Sequence, residues 1–270
     1  MMFKNIFFII VSLVISATLI AQPNAINHEG ELGISIGSSH YFGDMNKGRV
    51  NRPKPAIGLF YRKQFGSYVA LRAHAHISQL GYADKYNTTP FERQRNLSFF
   101  TDLQEFTVQG DFNFFKYLPG STDYRFTPYV TLGVGFFHFD PEATLPGLPN
   151  PWDIKERRLE GQLQEYPNNA ISFPIGMGVK YNFYRNLNIG FEVGYRFTNT
   201  DYIDDVSTRY AGPNAFTNTF DFLLQDRSLT LPMLGVQGKQ RGFSAQKDRY
   251  VFAELTFSYS FNSYKCPVVQ

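Results

Sequence analysis

The sequence predicts an all-β protein, a closed antiparallel transmembrane β-barrel of about eight strands with long extracellular loops. Three observations carry this. Apolar and polar residues alternate with period two over segments long enough to cross a membrane. The polar face of those segments is rich in glycine. The connections between them alternate between short and long.

The alternation is clearest from Ile171 to Phe183, where Ile171, Phe173, Ile175, Met177, Val179, Tyr181 and Phe183 share one face. Leu187 to Phe197 and Val251 to Phe261 repeat it. Glu31 to Ser38, Val69 to Ile77, Leu103 to Phe115 and Arg125 to Phe139 behave alike, and Pro55 to Lys63 reads as a weaker strand. A membrane strand needs about 9–11 tilted residues, and most of these segments reach that length.

Alternation alone does not say which face is inside. The polar face carries Gly33, Gly37, Gly133, Gly135, Gly176, Gly178, Gly190 and Gly194. Glycine is unfavourable in a strand unless something must approach closely. An eight-stranded lumen is just wide enough for side chains to fill, so glycine there gives room to large charged groups. The Gly-rich face is therefore placed inside, and the Phe, Leu and Val face against lipid. The short links, Gln64 to Ser67, Tyr184 to Asn186 and the moderate Lys116 to Asp123, fit periplasmic turns. Ser39 to Lys54, Ala83 to Asn96, Asp140 to Asn169 and Asn199 to Lys247 fit outward loops. The last of these is expected to form ordered structure outside the barrel.

The N-terminus fits export. Lys4 is the only charge before Ala21, Ile6 to Ile20 is almost wholly apolar, and Leu19-Ile20-Ala21 offers a cleavage site. Residues 1–21 are read as a signal peptide and 22–270 as one outer-membrane barrel domain of a Gram-negative bacterium. With 28 Phe and 17 Tyr against one Trp, the chain is aromatic in the way a lipid-facing surface requires. Removing Lys4 with the signal takes the net charge from +3 to +2, which gives no basis for nucleic-acid binding. The single cysteine, Cys266, excludes an internal disulfide and is a candidate for an intermolecular bond or partner contact.

The inward face gathers Arg72, His74, His76, Glu105, Asp111, Lys180, Glu192, Arg196 and Glu254. Charges in a narrow interior must pair, since an isolated buried charge costs several kcal/mol or more. A structural ion-pair network is the favoured reading. His74 and His76 have a spacing that can support metal binding, but no third ligand follows from spacing, so no metal or cofactor is assigned. Asp201, Asp204, Asp205 and Ser207 fall in an acidic, turn-prone segment. Calcium is one reading of it. It lacks the glycine and final glutamate of an EF-hand loop, and carboxylates accepting backbone hydrogen bonds are preferred. No nucleophile elbow, phosphate loop or zinc-helix motif is present.

Several local motifs occur together and in order: Tyr41-Phe42-Gly43-Asp44-Met45-Asn46, Arg95-Asn96-Leu97-Ser98-Phe99, Thr127-Pro128-Tyr129-Val130, Phe139-Asp140-Pro141, Leu159-Glu160-Gly161-Gln162, Gly178-Val179-Lys180-Tyr181, the run from Asp201 to Thr208, Arg241-Gly242 and Asp248-Arg249-Tyr250. This set resembles the PorG family, outer-membrane barrels of the type IX secretion system in Bacteroidetes-type bacteria. Leu159 departs from the pattern, where threonine is expected. The resemblance implies a non-enzymatic component that anchors or assembles the periplasmic ring made by the lipoprotein PorK and its partner PorN. That machine performs protein transport and in some bacteria is coupled to gliding motility. A small outer-membrane enzyme acting on lipid or lipopolysaccharide is the alternative, and a porin is disfavoured because water-filled porins have about twice as many strands. Beyond the ring proteins, the expected surroundings are outer-membrane lipid.

Overall fold

The structure is a computed structural model that describes residues 26–143, 156–157, 166–216, 225–228 and 233–264. Residues 1–21, read above as a signal peptide, Leu159 to Gln162 and Cys266 lie outside the described residues.

Eight long strands form the wall: β1 (Ile26–Phe42), β2 (Lys54–Phe65), β3 (Val69–Ala83), β4 (Ser98–Asn113), β5 (Phe126–Ala143), β7 (Asn169–Tyr184), β8 (Leu187–Thr198) and β9 (Arg249–Tyr264). A two-residue strand, β6 (Glu156–Arg157), pairs with the end of β5. Every pairing is antiparallel, in the order β4-β3-β2-β1-β9-β8-β7-β5, and β4 pairs with β5 to close the ring. Closure leaves no unpaired edge within the wall, which a backbone surrounded by hydrocarbon requires.

The faces fall as the alternation requires. Along β9, Glu254 is 2% exposed and Leu255 is 48% exposed. Outward residues such as Ile34, Leu59, Leu71, Val108, Leu132, Ile175 and Val193 form an exposed apolar band. Soluble proteins rarely expose contiguous apolar surface on this scale. Near the short turns the band ends in aromatics, with Phe65, Tyr68, Phe114, Phe126, Tyr184 and Phe261 all exposed. Such a girdle marks the membrane boundary. No helix among the described residues is long and apolar enough to cross a membrane.

Three expectations are corrected. The strands run further toward the long loops than the alternation indicates; β3, for example, continues from Ile77 to Ala83. The ends of the mature chain, Gln22 to Gly30 and Asn262 to Gln270, which an even strand count sets as tails beside the short turns, are not wholly tails, because Ile26 pairs with Tyr264 in the wall. The last long loop does not simply project outward. Ile203, Val206 and Tyr210 are buried, and Ile203 and Val206 join Leu80, Tyr82, Phe99, Phe137, Phe139, Tyr250 and Phe252 in one apolar cluster at the barrel mouth. Burial of this aromatic surface is what draws the loop in.

Candidate functional site

The lumen holds two different fillings. Its middle is a charge network. Arg72, on the inward face of β3, is fully buried and grips Glu192 of β8, with Nη1 donating to Oε2 at 2.5 Å and Nη2 to Oε1 at 2.9 Å. Its Nη2 also meets Gln109 and lies 3.6 Å from Asp111. Arg62 of β2 donates to Glu31 and Asp111, each at 2.8 Å. Tyr129 donates to Glu192 at 2.5 Å. Lys180 has no hydrogen-bond partner for its ammonium among the described residues; that group sits 4.8 Å from the Tyr117 ring centre and 5.0 Å from that of Tyr129. Aromatic faces are a favourable setting for a desolvated cation.

One layer nearer the mouth, Glu105 accepts from Tyr250 at 2.7 Å and Ser172 at 2.8 Å, and Arg196 Nε lies 3.5 Å away. His76 sits between Glu105 at 3.4 Å and Glu254 at 3.1 Å. The network's carboxylates are Glu31, Glu105, Asp111, Glu192 and Glu254, and its basic groups are Arg62, Arg72, Lys180, Arg196 and the two histidines.

Glycine makes room for this filling. A Cβ on Gly58 would lie 2.6 Å from His74 Nε2, and one on Gly178 would lie 2.8 Å from the Tyr129 ring. Either position is closed to any other residue unless the network shifts.

The structure brings together every residue of the lumen set singled out above. It adds Glu31, Arg62, Tyr129, Tyr250 and Ser35, all on inward positions. Ser35 Oγ donates to Glu254 Oε1 at 3.0 Å and is 3.1 Å from His74 Nε2. A serine gives only one proton, so His74 acts as the donor in its contact with Ser35 and is not placed to take that proton. His74, His76 and Glu254 each offer a ligand atom within 4.8 Å of the others, the third ligand that spacing alone left unnamed. The Nε2 atoms of both histidines are already engaged, one by Ser35 and one by Glu254.

The mouth is filled differently and then covered by a cap. Tyr41, at the end of β1, donates to Asp204 Oδ2 at 2.5 Å and reaches Asp248 Oδ1 at 3.1 Å. Asp248 accepts from the Ile203 amide and Asp204 from the Val206 amide, both at 2.9 Å. Asp44 accepts from the Phe243 amide at 2.7 Å. Beside them, Arg95 ends the short helix α1 (Pro90–Arg95) and clasps Asp84 at 2.7 and 2.8 Å. Tyr166 donates to Asp205 at 2.5 Å, and Arg241 donates to the Asp205 carbonyl at 2.6 Å. Asp201 and Ser207 are buried in the same cap. Gly43 is held close, because a Cβ there would collide with Tyr41 and Asp248. Burial pushes Asp204 and Asp248 well above the usual carboxylate range, helped by the charges of Asp44 and Asp201 on Asp204 and of Asp204 and Asp201 on Asp248, and burial raises Asp44.

Among solved structures, the chain resembles several small outer-membrane proteins. Ail, the attachment invasion locus protein of Yersinia pestis, is 14% identical, with 86% of this chain and 99% of Ail covered and a TM-score of 0.42. Neisserial surface protein A is 9% identical over 86% of this chain and 97% of its own, with a TM-score of 0.43. OprG from Pseudomonas aeruginosa is 11% identical over 88% and 99%, with a TM-score of 0.35. A comparison with curated protein sequences finds no match. One family profile does match, over residues 4–220, and on that span the chain belongs to the family described as a domain of unknown function, DUF6089.

Proposed function

We propose that the protein is a non-enzymatic outer-membrane component of the type IX protein secretion system, which anchors or assembles the periplasmic ring of PorK and PorN. The observation that carries this reading is the convergence of the family-like motifs. Tyr41 to Asn46, Arg95 to Leu97, Asp201 to Ser207, Arg241 and Asp248 are far apart in sequence, yet they build one cap over the mouth. Motifs that build a shared scaffold support a shared scaffold role. The filled lumen supports it too, since a barrel packed with paired charges and aromatics suits an anchor better than a pore. The seryl and histidyl groups of the lumen are fully buried and paired with each other, which does not favour the lipid-modifying alternative.

Affinity purification from native outer membranes tests the reading. Co-recovery of PorK and PorN with the tagged protein is the expected result. Their absence, with altered lipid A in a deletion strain, overturns it in favour of the enzyme.

A further inference from the structure

A groove of about 490 Å3 lies at the long-loop rim, where β2, β3 and β4 meet the first two long loops. It is lined by Arg52, Lys54, Lys85, Tyr86, Gly81 and Phe100 among others, and none of the described lining residues is acidic. Arg52 lies 3.7 Å over the Tyr86 ring centre, and the Lys85 ammonium is 5.2 Å from it. Arg49 is tied to the same segment, with Nη1 donating to the Tyr86 carbonyl at 3.3 Å and Nη2 to Thr88 Oγ1 at 2.5 Å. Of the nearby acids, Asp84 holds Arg95, Glu92 holds Lys47 at 3.4 Å, and Glu142, the strand partner of Phe100, is buried. Arg52, Lys54 and Lys85 have no salt bridge among the described residues.

We propose that this groove binds the phosphorylated head group of a lipid in the leaflet it faces. Cations without a salt-bridge partner repel one another, and an anion relieves that repulsion. Arg and Lys are the side chains that recognise phosphate. The position selects a lipid over a soluble phosphate. Ile57 and Ile77 are paired neighbours on β2 and β3, exposed at 54% and 66%, and both face lipid directly below. Gly81 lies four residues beyond Ile77, about 13 Å along the strand and less in height because barrel strands tilt. That is head-group depth. Basic clusters at this depth bind anionic head groups. Gly81, buried opposite Phe100, lines the groove without a side chain to fill it.

This inference rests on the proposed membrane placement and is independent of the ring-anchoring role. The test uses the full chain in neutral detergent, titrated with lipid A and followed by native mass spectrometry. The triple variant Arg52→Gln, Lys54→Gln, Lys85→Gln is expected to bind lipid A more weakly by on the order of tenfold or more. Lys85→Gln alone, at an exposed position, is expected to show a smaller loss in the same direction. Dephosphorylated lipid A should bind the wild type no better than lipid A binds the triple variant. Lys247→Gln, exposed elsewhere on the same rim, should leave binding unchanged. Unchanged affinity in the triple variant overturns the proposal. So does an equal loss in Lys247→Gln, or binding of inorganic phosphate as tight as that of lipid A. A heat-dependent gel shift confirms that each variant is folded.

Discussion

Strand β3 shows the molecule's main contrast on one face. Arg72, His74 and His76 point into the middle of the lumen, and Leu80 and Tyr82 point into its mouth. The middle is held by charges that satisfy one another across the barrel, from β3 to β8 in the case of Arg72 and Glu192. The mouth is held by aromatic packing, as in the edge-on contacts of Tyr41 with Phe99 at 4.8 Å and Phe137 with Tyr250 at 5.5 Å. The difference teaches where specificity resides. A charge network tolerates no missing member, whereas an apolar cluster relaxes around a smaller one.

The largest expected effect therefore comes from the middle. Arg72→Ala strands Glu192 and weakens the hold on Asp111, at a cost of about 3–5 kcal/mol. A urea titration of the folded fraction, read by the heat-dependent gel shift, measures it. A loss no greater than that of an outward alanine would mean that water already screens the network. The wall between the two fillings and the lipid comes next. Leu255→Arg is expected to cost about 2–4 kcal/mol if it sits near the midplane, and Thr256→Arg on the inner face should fail in a different way, by overfilling the lumen. Equal tolerance of both would mean that the faces are misplaced. At the mouth, Phe137→Leu is expected to cost only on the order of 1 kcal/mol, because neighbouring rings can close part of the gap. A cost equal to that of Arg72→Ala would erase the contrast.

The smallest effect is a pH slope. Asp204 and Asp248 have raised proton affinity in the folded cap. Their protonated forms favour the cap. That contribution is complete below the ordinary carboxylate range and is lost as pH rises through the raised values. Trypsin should therefore cut the last long loop faster as pH climbs, once rates are normalised to an unstructured peptide. Asp204→Asn removes one raised carboxyl and a charge that raises Asp248, and should flatten this dependence. An unchanged slope would show that the pair does not govern cap opening.

The same contrast explains what the sequence revealed. Each of the eight wall strands is legible because polar lumen and apolar lipid face opposite sides of the chain. The alternation fades near the mouth, where both faces are apolar. Phe99 and Phe100 on β4, and Phe136, Phe137 and Phe139 on β5, carry no contrast from which period two can be read. The strands therefore look shorter than they are, and the mouth plug stays hidden. Arg62 is missed because β2 mixes Gly58, Phe60, Arg62 and Gln64 on its inner face. The pairing of Ser35 with His74 and Glu254 joins strands far apart in sequence, and it depends on which inward positions the barrel sets at the same height. No local pattern encodes that.

The Tyr41 contact has a consequence for how the ring closes. β1 and β9 are the first and last strands, and their union requires the longest chain closure in the molecule. A sheet rejects a slip of one residue, because every side chain would change faces. A slip of two residues keeps the faces correct and escapes that control. It would carry the Tyr41 hydroxyl about 7 Å along the seam. Tyr41 could then no longer reach Asp248, which immediately precedes β9, or Asp204 beside it. The cap thus proofreads the alignment that alternation leaves ambiguous, and it does so at the one seam where the two ends of the chain must find each other.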